Sequence, residues 1–436
     1  MTAVKPSPAR LFSRAYFNRR LAAFLSALVL FPVRTFAFDA KRKTGILSNK
    51  DNLVEAILFY GQSNAGAGGD ARSIFTTPIF PDRIVSFQTS RQIYGTQRVD
   101  PARLQGIGSL YDDPKSAPYP ATAMAYALGH ERHSNTVYFM HTVWYGGQPL
   151  TSFLRGSTSW SDLLSVAHRM RQVLSKRRLR GRVAALVLIQ GESGPPGREI
   201  YAQVLHDFLD QILPDLEAQT DQDRSPVAIL LQTNASNVQS ATALGVALAQ
   251  WDVARARSQD TVLAGPMYQF PLSDAVHQSA AGRMMLGDLL ALVFEYCITR
   301  DQVFEPLHPV VARRVKDKVV ISFKCPPDSL PLQWDHTWLT AVPNYGFQVK
   351  DLAGPVSIVS VQITGASEVT IRLPPDVLQH DLIVSYAMGQ PPTKGWAPAR
   401  GQLTAPSNRR SAFAGLDAGI PDTVTHYAIR FELPVR

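Results

Sequence analysis

Cysteine is nearly missing from this chain: two occur in 436 residues, Cys297 and Cys325. So few exclude a disulfide scaffold and a zinc ribbon held by four thiolates. Charged side chains are sparse as well, at 18%, against the usual quarter of a globular chain. No internal apolar run is long enough to span a bilayer, so a polytopic membrane protein is excluded. Fixed-period repeats and long low-complexity tracts are also lacking. Apolar residues, by contrast, make up 45%, enough for a sizeable core, and 31 prolines point to many loops. A length of 436 exceeds one ordinary domain and suggests two or three.

Most of the formal net charge of +9 sits at one end. Residues 1–37 carry Lys5, Arg10, Arg14, Arg19, Arg20 and Arg34 and no acid, and removing these six leaves a charge of about +3. The rest of the chain is therefore near neutral and carries no nucleic-acid footprint. Its densest basic run, Lys176 to Arg182, is expected to be a solvated helix end, where cations suit the dipole. Arg19-Arg20 precede thirteen uncharged residues, Leu21 to Val33, and then Thr35-Phe36-Ala37, with small residues near a cleavage point. A basic stretch, a short apolar stretch and a small-residue site describe an export signal. As helix the apolar part covers about 20 Å, short of a ~30 Å hydrocarbon core. Residues 1–37 are expected to be a signal peptide cleaved after Ala37, with a membrane anchor as the alternative. The working protein is then extracytoplasmic, periplasmic or secreted, where a bridge between Cys297 and Cys325 is permitted. The alternative is two buried, inert thiols.

Between about 50 and 300, apolar runs alternate with helical patterns. The runs are 53–60, 136–143, 183–189, 227–233 and 261–264; the helical stretches lie near 121–131, 160–178, 198–213, 239–258 and 279–296. Continuous rather than alternating apolar runs indicate parallel strands covered on both faces. The pattern predicts an open parallel sheet between helical layers, with its ligand site at the carboxyl ends of the strands. Past Cys297 the texture changes to short β-rich runs, 318–324, 356–363, 368–373, 381–387 and 426–433, as in an antiparallel sandwich. The expected division is 38–300 and 305–436.

Four turns at the predicted sheet edge carry usable chemistry. The first run ends in Gly61-Gln62-Ser63-Asn64-Ala65-Gly66. A serine directly after a central strand, among small residues, stands where a nucleophile can meet substrate, and the glycines let substrate approach the backbone. A phosphate loop fails because no Lys-Ser/Thr pair follows. A plain glycine-rich turn is the bland alternative. A serine needs a base and the base an orienting acid. His277 has the best local setting, with Asp274 three residues earlier; otherwise Ser273 or Asp274 caps the next helix and His277 is a surface residue. The α/β-hydrolase elbow G-x-S-x-G is absent. Trp144-Tyr145-Gly146-Gly147 and Gln190-Gly191-Glu192-Ser193 leave strands at the same edge and offer backbone N–H groups and a side-chain amide to a developing oxyanion. Tight turns are again the alternative. His130-Glu131-Arg132-His133 lacks zincin spacing and is not read as a metal site. Of the tryptophans, Trp144 alone is expected near the site.

In order and spacing, GQSNA, the glycine pair at 146–147, QGES and DAVH resemble the four blocks of the SGNH hydrolases, across about 53–296. The sequence is most similar to the sialate O-acetylesterase-like branch, carbohydrate esterase family 6. The resemblance implies a three-layer α/β/α, flavodoxin-like sheet followed by a β-sandwich, with no cofactor and no metal. It also implies Ser63 as nucleophile, His277 as general base and Asp274 as its orienter. The N–H groups of Ser63 and Gly147 (Gly146 as alternative), with the Gln190 side chain, would hold the oxyanion, while Asn64 and Glu192 would brace the site. Two departures bear on substrate fit and loop shape. Gly194-Pro195-Pro196 follows QGES where the family often has Asp, and Gln278 stands where proline commonly follows the histidine. The implied activity is removal of acetyl groups from a carbohydrate through an acyl-enzyme. An O-acetyltransferase with the same triad and a non-catalytic glycan binder are the rivals. Which sugar is acetylated, and the oligomeric state, stay open.

Overall fold

In the computed structural model of the chain, the first apolar run forms strand β1 (Leu53–Gly61), buried from its second residue onward. The structure describes residues 53–436 apart from 67–72, 88–91, 94–103, 113–117, 131–135, 195, 235–240, 337–340, 378–380, 390–398 and 418. The expected export signal lies outside the described residues, as do Glu131, Arg132 and His133, Trp338 and Trp396. Side chains of β1 divide by parity between two cores. Ile57 and Phe59 enter one, and Val54, Ala56, Leu58 and Tyr60 the other, as a period of two requires.

Among the described residues, seven further strands join β1: β2 (Ile84–Phe87), β3 (Gln92–Ile93), β4 (Ile107–Ser109), β5 (Val137–Trp144), β6 (Arg180–Ile189), β7 (Val227–Gln232) and β8 (Thr261–Pro266). Their order is β4-β2-β5-β1-β6-β7-β8, with β3 beside β5. Edge strand β4 runs antiparallel to β2, and the remaining pairings are parallel. The helices are α1 (Pro120–His130), α2 (Thr158–Ser175), α3 (Arg198–Thr220), α4 (Ala241–Ala256) and α5 (Ala280–Phe294). Helices α1 and α5 cover one face of the sheet, and α2, α3 and α4 the other. The fold is thus a three-layer α/β/α arrangement with a β-rich part after it. Strand order reverses around β1, flanked by β5 and β6, which is where sheets of this kind open a crevice.

The β-rich part holds three antiparallel sheets among the described residues. Its strands are β9 (His308–Val315), β10 (Lys318–Lys324), β11 (Gln333–Trp334), β12 (Phe347–Lys350), β13 (Pro355–Val356), β14 (Ser360–Gly365), β15 (Glu368–Arg372), β16 (Ile383–Tyr386), β17 (Leu403–Arg410), β18 (Thr423–Tyr427) and β19 (Phe431–Pro434). Val319, Ile321, Phe347, Tyr386 and Phe431 fill their core, together with Tyr268 from the α/β part. In the opposite direction Ile429 enters one α/β core, and Phe413 and Val424 the other.

Several expectations are corrected. The run 356–363 is broken into β13 and β14, and 426–433 into β18 and β19. The second break arises because Ile429 and Arg430 satisfy backbone groups outside their sheet, with Ile429 N donating to Leu307 O at 3.0 Å and Arg430 N to Gln232 Oε1 at 2.6 Å. Only the first half of the basic run is a solvated helix end. Residues 176–178 are exposed after α2, whereas Arg182 lies in β6 and makes a bidentate pair with Glu55, both bonds 2.8 Å. Neither Ser273 nor Asp274 caps α5; Ser279 does, its Oγ accepting from Gly282 N at 3.2 Å. Cys297 and Cys325 are not bridged, because one packs in an α/β core and the other against the β-rich core. No helix among the described residues is long and apolar enough to cross a membrane.

His426 of β18 is 2% exposed and packs beside Phe304, ring centres 5.8 Å apart. Burial pushes its imidazole pKa down to about 4 from an ordinary 6.5. The unfolded chain therefore takes up the proton first, and stability present above pH 6.5 is lost as pH falls towards 4. The loss amounts to about 3 kcal/mol. Urea denaturation at pH 7.5 and 4.5 is expected to show this drop, and His426→Leu to remove that part of it. An unchanged pH dependence in the variant would contradict the assignment.

Candidate functional site

Gly61, at the end of β1, has φ +143°. A Cβ there would stand 2.0 Å from the carbonyl oxygen of Ile189, so only glycine lets β1 and β6 meet this closely. Gln62 N donates to Ile189 O at 3.0 Å and Tyr145 N to Gly61 O at 2.9 Å, which ties the ends of β1, β5 and β6 together. One 3₁₀ turn, Ser63–Ala65, follows at once. Ser63 is left half-buried at the carboxyl edge of the sheet. Trp144 lies on this turn: a Cβ on Gly66 would come within 2.3 Å of its indole.

After β8 the chain makes a short 3₁₀ turn, Met267–Gln269, and then a loop closed by pairing of Leu272 with Gln278. Asp274 shapes that loop. Its Oδ1 accepts from Val276 N at 2.8 Å and His277 N at 2.7 Å, and its Oδ2 faces His277 Nδ1 at 2.7 Å. Burial pushes the Asp274 pKa up, but the bonds from the His277 backbone, the imidazole and Val276 N outweigh it and hold the carboxyl below its ordinary range. An ionised carboxylate can only accept, so the imidazole proton belongs on Nδ1 and Nε2 keeps a lone pair. Nε2 stands 2.8 Å from Ser63 Oγ, within reach of a hydrogen bond from its hydroxyl.

The two arms of this pair are cross-braced. Asn64 Nδ2 donates to Val276 O at 3.1 Å. Arg283, in the first turn of α5 and fully buried, donates from Nη1 to Gly66 O at 2.6 Å and Pro118 O at 2.7 Å, and from Nε to Gln278 O at 3.2 Å. Burial pushes its guanidinium pKa down to about 10, so it stays charged at neutral pH.

On the other flank, Gln62 Oε1 accepts from Gly191 N at 3.3 Å and Glu192 N at 3.1 Å. Gln190 is oriented by Tyr201, whose hydroxyl donates to Oε1 at 2.6 Å, while Nε2 reaches Gln148 O at 3.3 Å. Glu192 is buried, and its Oε1 accepts from Asn234 N at 2.6 Å. Gly146 and Gly147 sit in the exposed turn after β5, Gly147 at φ +68°. That turn is drawn to the Ser63 turn through the Tyr145–Gly61 bond. His130 ends α1, and Trp160 is a core residue.

Gln62, Tyr201, Arg283 and Asn234 gained no role from the sequence. The one available signal was Arg283, a lone cation in an otherwise apolar first turn, since a charge so placed is rarely buried without partners.

No protein-family profile and no curated protein matches the sequence. Among solved structures, a carbohydrate acetylesterase from Xanthomonas citri is similar in fold, with a TM-score of 0.56 at 13% identity over 87% of this chain and 80% of that one. NanS gives a TM-score of 0.43 at 15% identity, over 58% of this chain and 99% of its own. A protein from Arabidopsis thaliana gives 0.42 at 19% identity, over 56% and 99%. At 13% identity the likeness to the Xanthomonas protein is one of fold.

Gly61→Ala is expected to cost at least about 3 kcal/mol, because its Cβ meets backbone rather than a side chain that can move. Urea denaturation measures it, and a loss below about 1 kcal/mol would show that the strand ends can part without penalty.

Proposed function

We propose that this chain is an exported serine esterase that removes acetyl groups from a carbohydrate. The observation that carries the proposal is the unbroken relay from Asp274 Oδ2 to His277 Nδ1 at 2.7 Å and from His277 Nε2 to Ser63 Oγ at 2.8 Å. In this reading Ser63 attacks the ester carbonyl as His277 takes its proton, and the imidazolium is stabilised by Asp274. The N–H groups of Ser63 and Gly147 and the Gln190 amide receive the oxyanion, each worth on the order of 3 kcal/mol in the transition state. His277 then passes its proton to the departing sugar oxygen, which leaves as a hydroxyl, and water, activated by the same imidazole, releases acetate from the acyl-enzyme. Asn64 and Glu192 act by holding the two flanks. No step calls for a metal or cofactor.

Acetylated carbohydrate as the substrate class rests on two supports: the four motif blocks and the fold shared with the Xanthomonas carbohydrate acetylesterase. Export rests on residues 1–37. We assign 38–300 to the catalytic part and 305–436 to the accessory β-rich part.

The test is hydrolysis of p-nitrophenyl acetate, followed by acetylated polysaccharides. Ser63→Ala is expected to lose at least about 10³-fold in kcat, and Asp274→Asn on the order of 10³ to 10⁴-fold, because an amide stabilises the wrong tautomer. Variants that keep wild-type turnover would remove the relay from the mechanism.

A further inference from the structure

We propose that Arg430, in the β-rich part, is a positioning residue for the catalytic edge, an inference that rests on the esterase reading above. Arg430 is fully buried in the break between β18 and β19. Its guanidinium is gripped by backbone carbonyls from two sides. Nη1 donates to Thr233 O at 2.6 Å and Nη2 to Asn234 O at 2.9 Å, both at the carboxyl end of β7. Nε donates to Ala387 O at 3.0 Å and Nη2 also to Ala399 O, on the β-rich side. Its own backbone is held by Gln232, the last residue of β7, whose Oε1 accepts from Arg430 N at 2.6 Å and whose Nε2 donates to Arg430 O at 3.0 Å.

Burying a guanidinium carries a large desolvation cost, and an apolar side chain of similar volume would fill the same space without it. What the cation adds is a set of directed bonds, and those bonds lead to Ser63. The Asn234 residue whose carbonyl Arg430 holds donates its N–H to Glu192 Oε1; the N–H of Glu192 donates to Gln62 Oε1, and Gln62 precedes the nucleophile. A second path leads to the histidine arm. The guanidinium lies 5.1 Å from the centre of the Tyr268 ring, and the Tyr268 hydroxyl donates to Ala428 O at 2.5 Å. Tyr268 belongs to the 3₁₀ turn from which the His277 loop departs. Segment 428–430 thus joins the strand ends on which both flanks of the site are built. Burial pushes the Arg430 guanidinium pKa down to about 10, with Tyr268 and Glu192 acting in the opposite direction, so it stays charged at neutral pH. On this account the β-rich part is a structural member of the catalytic site, not a detachable module.

Three full-length variants test the proposal on p-nitrophenyl acetate, with thermal unfolding measured in parallel. Arg430→Lys keeps the charge but cannot span the four carbonyls, and is expected to lower kcat about tenfold or more with KM within about threefold, since small misplacements of catalytic groups act on the chemical step. Methylguanidine added to Arg430→Ala is expected to restore part of kcat, and no recovery in a variant that stays folded would count against the positioning role. Tyr268→Phe removes one hydroxyl, leaves no cavity and serves even if neither Arg430 variant folds; its kcat is expected to fall by about threefold or more at unchanged KM. Wild-type kcat in folded Tyr268→Phe, and in whichever Arg430 variant folds, would overturn the positioning role while leaving the esterase reading intact. A wild-type chain without turnover would overturn the esterase reading, and this one with it.

Discussion

Where β1 and β6 end, their backbones approach so closely that the Ile189 carbonyl occupies the space a Cβ on Gly61 would need. Everything at the site is hung from this joint. Gln62 bonds across it to Ile189, Tyr145 bonds back to Gly61, and the 3₁₀ turn carrying Ser63 starts one residue later. Because the joint lies where strand order reverses, loops from β5, β6, β7 and β8 all emerge on the same side. A histidine loop built after β8 can therefore meet a serine built after β1. The exactness of that meeting is local: Asp274 bonds the backbone of its own loop as well as the imidazole, so the carboxylate that meets the ring also folds the loop presenting it.

Polar groups crowded at a sheet edge must be satisfied once they are buried. Here two fully buried arginines do much of that. Arg283 joins the Ser63 turn to the residue after His277, and Arg430 joins the end of β7 to the β-rich part. The guanidinium hydrogen bonds given above all go to backbone carbonyls, which ties the two side chains to the chain path itself. Interpenetration of the cores, with Tyr268 among the β-rich side chains and Ile429 among those of the α/β part, makes the same connection in apolar terms.

The central strands were legible because two covered faces leave continuous apolar runs, so 53–60 and 183–189 sit inside β1 and β6. Very short strands and strands of atypical composition were not. β2 and β4 have four and three residues, too few for a period to emerge, and β17 contains Pro406 and Arg409-Arg410, composition that argues against a strand. Ser63, Asp274 and His277 were legible since each lies within a few residues of a strand end or a helix start, and the Asp-x-x-His spacing is itself local. Arg430 was not, because its partners come from β7 and from segments around 387 and 399; only tertiary structure reveals that an apparently regular strand breaks where its backbone and this side chain turn to those partners. The bridge between Cys297 and Cys325 fails for the same reason, since compartment permits a disulfide but only packing decides whether two thiols share a core.

The most direct measurement is mass mapping of the chain quenched in acid during turnover of p-nitrophenyl acetate. The account predicts the mass of one acetyl group on the peptide containing Ser63, and none there when His277→Ala is treated in the same way. Steady turnover with no acetyl group on Ser63, or an equal adduct in the histidine variant, would contradict a serine nucleophile activated by this imidazole.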